Sequence, residues 1–184
     1  RELPLDLVKK PEDWPDYFKE IDFLEQKAQT DINYKKNQFT RVGSSSVQLG
    51  KPNAWPTFGW DNEYGVDQRE VESFEATKFL ISNGEFFQFV EAGGYENSKY
   101  WSEKGWSWRK FRNVKWPTFW RQDGPAGSNR FKLRALFEEV PMQWDWPVIV
   151  NYYESKAYCS WLSEQDESEN KYRLLTESEH LVLR

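Results

Sequence analysis

Apolar residues recur along this chain in two periods, separated by stretches with neither. Over residues 12–36, Trp14, Tyr17, Phe18, Ile21, Leu24, Ala28 and Ile32 return every three or four positions with charges between them, which predicts an amphipathic helix. Pro11 and Pro15 stand near its start, where proline is tolerated. Such a helix either packs on its own domain or links to a preceding one. From 38 to 82 the pattern shortens to strands and loops. Arg41 to Gly50 places β-branched residues around a Gly43/Ser turn, and Lys51 to Phe58, with two prolines and two aromatics, suits an ordered loop. Val71 to Ile81 reads as one extended strand whose alternation breaks once, as at a bulge.

Capping signals punctuate the remainder. Ser82-Asn83-Gly84-Glu85 is a capping box ahead of Phe86, Phe87, Phe89 and Val90, and Gly93-Gly94 supplies a left-handed stop. This predicts a short helix near 83–92. Asn151-Tyr152-Tyr153-Glu154 opens a second near 152–163, with Ala157, Tyr158, Trp161 and Leu162 along one side. Between them, residues 95–123 carry Trp101, Trp106, Trp108, Trp116 and Trp120 with no clean period, and predict an irregular, aromatic-pinned region. Pro147–Val150 and Tyr172–Leu175 read as short strands, with a polar loop over 163–171. Thr176-Glu177-Ser178-Glu179 is a further capping box, yet the sequence stops at Arg184. With no Met before Met142, both ends are expected to be cuts within a longer protein.

Composition explains how such a chain builds a core. It holds 11 Trp, 9 Tyr and 13 Phe in 184 residues, and each buried aromatic removes roughly 150–250 Å² from water. The mean hydropathy of -0.91 therefore describes a small core under a charged surface, not disorder. The net charge is -5, and with Lys and Arg interspersed among acids no basic tract is evident. Neither nucleic acid nor a membrane surface is expected as a partner. No apolar run approaches the ~20 residues of a membrane span, no signal-peptide core opens the chain, and the single cysteine excludes an internal disulfide framework. A cytoplasmic setting follows as an expectation.

Intrinsic chemistry is sparse. His180 stands alone, so a His/carboxylate metal site is not predicted; it reads as a helix-face residue. Cys159 lies within a capped helix and reads as a small core residue rather than a nucleophile. There is no phosphate-cradling glycine motif. The polar cluster Trp60-Asp61-Asn62-Glu63-Tyr64-Gly65 either caps turns or holds a cation or substrate amine. Residues alone thus lead to a soluble α+β domain with aromatic-pinned loops.

Several stretches together resemble a known family. They are Trp60-Asp61-Asn62-Glu63; Gly93-Gly94-Tyr95 with Trp101 and Gly105-Trp106; Trp120-Arg121-Gln122-Asp123-Gly124; Pro147-Val148 with Tyr153-Glu154 and Ala157; and Arg173-Leu174-Leu175-Thr176-Glu177-Ser178-Glu179. Their order is similar to the formylglycine-generating-enzyme-like (sulfatase-modifying-factor) domain. The resemblance implies an α+β fold of the C-type-lectin-like kind, here truncated, loop-rich, with short strands and two main helices. It covers 38–184 as the N-terminal part of that domain, with 1–37 as a linker and amphipathic helix following an absent N-terminal helical metal-binding bundle. Leu175 and His180 stand where most of the family has proline and tryptophan, which resembles the iron sulfoxide synthases of ovothiol biosynthesis.

That branch implies a non-haem Fe(II) enzyme that uses O₂ to join the sulfur of cysteine to the imidazole of histidine. The iron would be held outside this segment, in the helical bundle against which the domain packs. No catalytic or metal-binding residue is carried over, and the segment alone is expected to be inactive. Trp60, Asp61, Asn62 and Glu63 are the candidates for substrate or interdomain contact. A formylglycine-generating oxidase and a non-catalytic lectin-like binding module are the competing readings.

Overall fold

Two stretches of the chain, 39–49 and 67–77, run antiparallel to each other in the computed structural model, which describes Leu7, 34–125, 127–168 and 170–184. Strand β1 (Phe39–Val42) pairs with β4 (Phe74–Thr77), and β2 (Ser45–Leu49) pairs with β3 (Asp67–Val71). The register is unchanged across the two ladders: Val42 faces Phe74, and Ser45 faces Val71. The turn predicted at Gly43 is a correction: the chain does not reverse there but runs on from β1 into β2 along the same partner stretch, and Ser45 and Ser46 belong to β2. The single strand expected over Val71–Ile81 is instead two strands. A bulge would add one residue to one side; here Gly43-Ser44 and Glu72-Ser73 leave the ladder opposite each other. The ribbon, Asn37–Phe79, forms a compact unit with Arg173–Arg184. That segment contains helix α4 (Glu177–Val182), which rests on β2 and β3.

The second unit is built mainly from Leu80–Tyr172. Helix α1 (Asn83–Glu91) has the predicted reciprocal box, with Ser82 Oγ accepting from the Glu85 N–H and the Glu85 carboxylate accepting from the Ser82 N–H. Its next two N–H groups, which no helical carbonyl can reach, donate to the Trp146 and Trp144 carbonyls at 2.8 Å. Gly93, at φ +73°, ends it. Helix α3 (Tyr152–Gln165) starts at the Asn151 cap and runs two residues past its predicted end at 163.

Helix α2 (Glu103–Arg112) is a correction. It stands inside the region predicted to be irregular, so among the described residues two main helices become three, with α4 as a fourth short one. Ser102 caps it through the Gly105 N–H at 3.1 Å, and Asn113 stops it in the left-handed conformation at φ 49°. Strand β5 (Trp120–Gln122), also unpredicted, joins β6 (Phe131–Arg134) and β7 (Glu139–Pro141) in an antiparallel meander. Pro147–Val150 is no strand but one bridge, Pro147 to Ser82, and Tyr172–Leu175 is irregular. More than half of the described residues lie outside helices and strands, as expected. The predicted helix over 12–36 lies outside the described residues except Tyr34–Lys36, which are not helical.

The core of the second unit is nearly all aromatic. Helix α1 sits between two clusters: Phe86 and Phe89 pack with Tyr95, Trp101, Tyr158 and Trp161, while Phe87 packs with Trp120, Phe131, Met142 and Trp144. Most rings meet edge-on or tilted, as Phe89 does against Tyr158 at 88°, while Phe86 stacks on Tyr158 at 23°; ring quadrupoles favour edge-to-face and offset-stacked contacts alike. Polar ends are matched: the Trp120 indole N–H donates to Asn83 Oδ1 at 3.0 Å and that of Trp101 to the Gly94 carbonyl at 2.8 Å. No helix among the described residues is long and apolar enough to cross a membrane.

Candidate functional site

The loop between β2 and β3 holds all four candidate residues, and its shape follows from one pinch at its base. Gly50 adopts φ +85°, and a Cβ there would lie 2.5 Å from the Gly65 carbonyl oxygen, so no other residue fits. Just beyond, the Lys51 N–H donates to the Glu63 carbonyl at 2.9 Å and the Gly65 N–H to the Lys51 carbonyl at 3.1 Å. The excursion from 52 to 62 is thereby closed.

Inside it, Asp61–Glu63 makes one 3-10 turn. The Glu63 carboxylate accepts from the Trp60 N–H at 2.8 Å, and the Glu63 N–H donates to the Trp60 carbonyl at 2.9 Å. Asp61 Oδ1 accepts from the Asn62 N–H at 2.9 Å. Of the short polar side chains in the cluster that reads as capping turns, Asp61 closes onto the backbone and Asn62 does not. Glu63 makes the second such bond, and the Asn62 amide has no partner among the described residues.

Sequence reasoning missed the residue at the centre of this loop. The Lys51 ammonium donates to the Thr57 and Phe58 carbonyls, each at 2.5 Å, and stands 5.5 Å from the centre of the Tyr64 ring. Gly59 passes close by, and a Cβ on it would meet both the Glu63 carboxylate and the Lys51 Nζ at 3.1 Å. These partners lie six to thirteen residues away along an irregular path, so no local spacing announces them.

With the polar groups turned onto the loop itself, its rings face outward. Phe58 and Trp60 meet edge to face at 5.3 Å, yet Trp55, Phe58 and Trp60 remain 59%, 78% and 67% exposed. The loop thus presents an aromatic face on an ordered backbone, with the Asn62 amide beside it. Such a face can stack on or cover a partner, and it contains no acid–base pair poised for proton transfer.

The remaining candidates do not supply chemistry either. Cys159 is half-buried on α3, and burial pushes its thiol above the ordinary range, away from the reactive thiolate. His180 is exposed on α4. Among the described residues no three His, Cys, Asp or Glu side chains come together to hold a metal ion. These residues do not fit an iron site, and no step is assigned through one.

The family described as Sulfatase-modifying factor enzyme 1-like domain matches residues 25–182. The hercynine oxygenase of Mycobacterium tuberculosis is 32% identical over 101 residues, which cover 55% of this chain and 23% of that protein. The hercynine oxygenase of Mycolicibacterium smegmatis is 33% identical over 102 residues, covering 55% and 22%. That of Mycolicibacterium thermoresistibile is 32% identical over 114 residues, covering 61% and 24%. The chain therefore matches less than a quarter of the length of these curated relatives.

Proposed function

Since the chain belongs to the sulfatase-modifying factor enzyme 1-like family, we propose that it is part of an iron- and O₂-dependent sulfoxide synthase that joins the sulfur of cysteine to the imidazole of histidine. Iron would be held by residues outside this segment. The observation that carries the reading is the identity to hercynine oxygenases, together with Leu175 and His180 in the positions that resemble the ovothiol branch.

In this reading the segment forms part of the wall of the active-site cavity. The aromatic face of Trp60, with Asp61, Asn62 and Glu63 behind it, meets substrate or the neighbouring helical bundle. A wall of this kind contributes by orienting reactants and excluding water. An ordered loop suits that task because less freedom is lost when it is covered.

A second reading has its own support. The relatives are hercynine oxygenases by name, so hercynine in place of histidine is the competing acceptor. The test uses the full-length parent enzyme with Fe(II), O₂, cysteine and either acceptor, with product mass as readout. The proposal expects a coupled sulfoxide with histidine, and a Trp60→Ala variant with a raised KM for one substrate. Coupling to hercynine alone would favour the second reading, and no coupling to either would sink both.

A further inference from the structure

The expectation that this acidic chain has no basic tract is overturned over residues 104–134, which carry nine Lys and Arg against the single acid Asp123. The fold concentrates part of that tract on α2 and the turn after it. Within the same unit some cations are paired, as Lys99 is with Glu164 at 2.5 Å and Lys132 with Asp123 at 3.8 Å. Arg109, Lys110, Arg112 and Lys115 have no carboxylate within ion-pair distance among the described residues. Amid them stands Phe111, 87% exposed, more than any other large hydrophobic side chain among the described residues.

We propose that the C-terminal turn of α2 and residues 113–115 form a docking surface for an acidic protein segment that carries an apolar side chain beside its carboxylates. The helix offers these groups on a fixed scaffold. Ser102 caps its start, Trp106 and Trp108 pack on the aromatic core, and Gly105 lets it approach Tyr153, where a Cβ would sit at 3.3 Å. The Arg109 guanidinium is already held over the Trp106 ring at 5.3 Å, and its Nε is buried with no acceptor. A carboxylate is the acceptor a guanidinium fits best.

Cations near a helix C-terminus also complement its dipole. That accounts for Arg109, Lys110 and Arg112, but not for Lys115 beyond the helix, nor for an exposed phenylalanine at the centre. Charge complementarity favours a protein carboxylate over a phosphate backbone. A nucleic acid carries dense charge over a long track and would meet the net -5 of the whole chain. A short acidic segment touches only the basic strip, and Phe111 gives it an apolar contact.

The test is fluorescence anisotropy on the full-length chain, with a labelled eight-residue probe peptide of alternating Glu and Leu. The expected result is saturable binding that weakens with salt. Lys110→Glu with Arg112→Glu should weaken it about tenfold or more, and Phe111→Ser should weaken it without removing the salt dependence. All three sites are exposed, and circular dichroism checks that the helix persists; Lys115→Glu, outside the helix, tests the same charge without touching it. No binding, or binding indifferent to these changes, would overturn the proposal. Tighter capture of a single-stranded DNA oligomer or of phosphatidylserine vesicles by the same residues would overturn it too.

Discussion

The Tyr95 phenol donates to Glu154 Oε1 at 2.6 Å, and each residue is only 2% exposed. The other oxygen, Oε2, accepts from the Asn151 N–H at 2.8 Å, while the Glu154 N–H donates to Asn151 Oδ1 at 3.0 Å. One carboxylate therefore caps α3 and ties it to the residue that follows the glycine stop of α1. Burial pushes the Glu154 carboxyl above its ordinary range, and burial followed by the nearby carboxylate pushes the Tyr95 phenol well up.

Removing that carboxylate should be costly. Glu154→Ala leaves a buried hydroxyl unmatched and removes the cap, a loss of about 2–4 kcal/mol, measurable by urea unfolding. The pH dependence has a definite sign. Because the folded carboxyl titrates above its unfolded value, its contribution is full below the unfolded value and is lost as pH rises through the raised folded one. Glu154→Gln, which cannot ionise, should flatten that part of the stability profile. A parallel profile in wild type and variant would contradict it.

Glu179 behaves in the opposite way. Two bonds from the Arg173 guanidinium, at 2.6 and 2.7 Å, with the Thr176 N–H and hydroxyl, hold its carboxyl down to about 2. A depressed carboxyl stabilises above its unfolded value, near 4.5, and loses that effect as pH falls toward 2. Helix α4 should therefore fray on acidification through that window. Hydrogen exchange at residues 179–182 should quicken there in wild type and should already be fast, and less dependent on pH, in Glu179→Gln.

The elements announced by side chain–backbone chemistry were legible in the sequence, because a capping box states its partner three residues away. Ser82/Glu85, Asn151/Glu154 and Thr176/Glu179 all form. Helix α2 was not legible, since its cap Ser102 has Gly105 instead of Glu or Gln at the third position. Trp106 and Trp108, two apart, also read as strand spacing. The order of the 51–65 loop was hidden for a different reason: Lys51 is conformationally free in sequence terms, and only the folded path brings two carbonyls to its ammonium.

The two glycines after α1 have different duties and should respond differently. Gly93 has φ +73° with nothing within 4 Å of where a Cβ would stand, whereas at Gly94 a Cβ would strike the Phe89 ring at 2.1 Å. Gly93→Ala should cost about 1–2 kcal/mol from backbone strain, and Gly93→Asn less, since asparagine tolerates this conformation. Gly94→Ala must displace a fully buried ring, with a cost of about 1–3 kcal/mol, and Gly94→Asn should be worse. Thermal unfolding of the four variants checks the ranking, and asparagine rescuing position 94 would contradict it.

Lys51→Met gives the sharpest reading of the candidate loop. The Thr57 and Phe58 carbonyls it serves belong to exposed residues, so water replaces the ammonium and stability should fall by about 1 kcal/mol or less. The loop's order should suffer more than the fold does. Two of the contacts that fix the path around Gly59 disappear, while the backbone pinch between Lys51, Glu63 and Gly65 survives. Faster hydrogen exchange at 57–62, with exchange in α1 and α3 unchanged, is the expected signature, and Lys51→Arg should restore part of it. In the full-length enzyme the proposed wall predicts that Lys51→Met raises a substrate KM in the same direction as Trp60→Ala, with a smaller change in kcat. If Trp60→Ala alone shifts KM, the loop meets substrate but Lys51 does not position it. If neither does, the exposed rings serve a contact other than the substrate cavity.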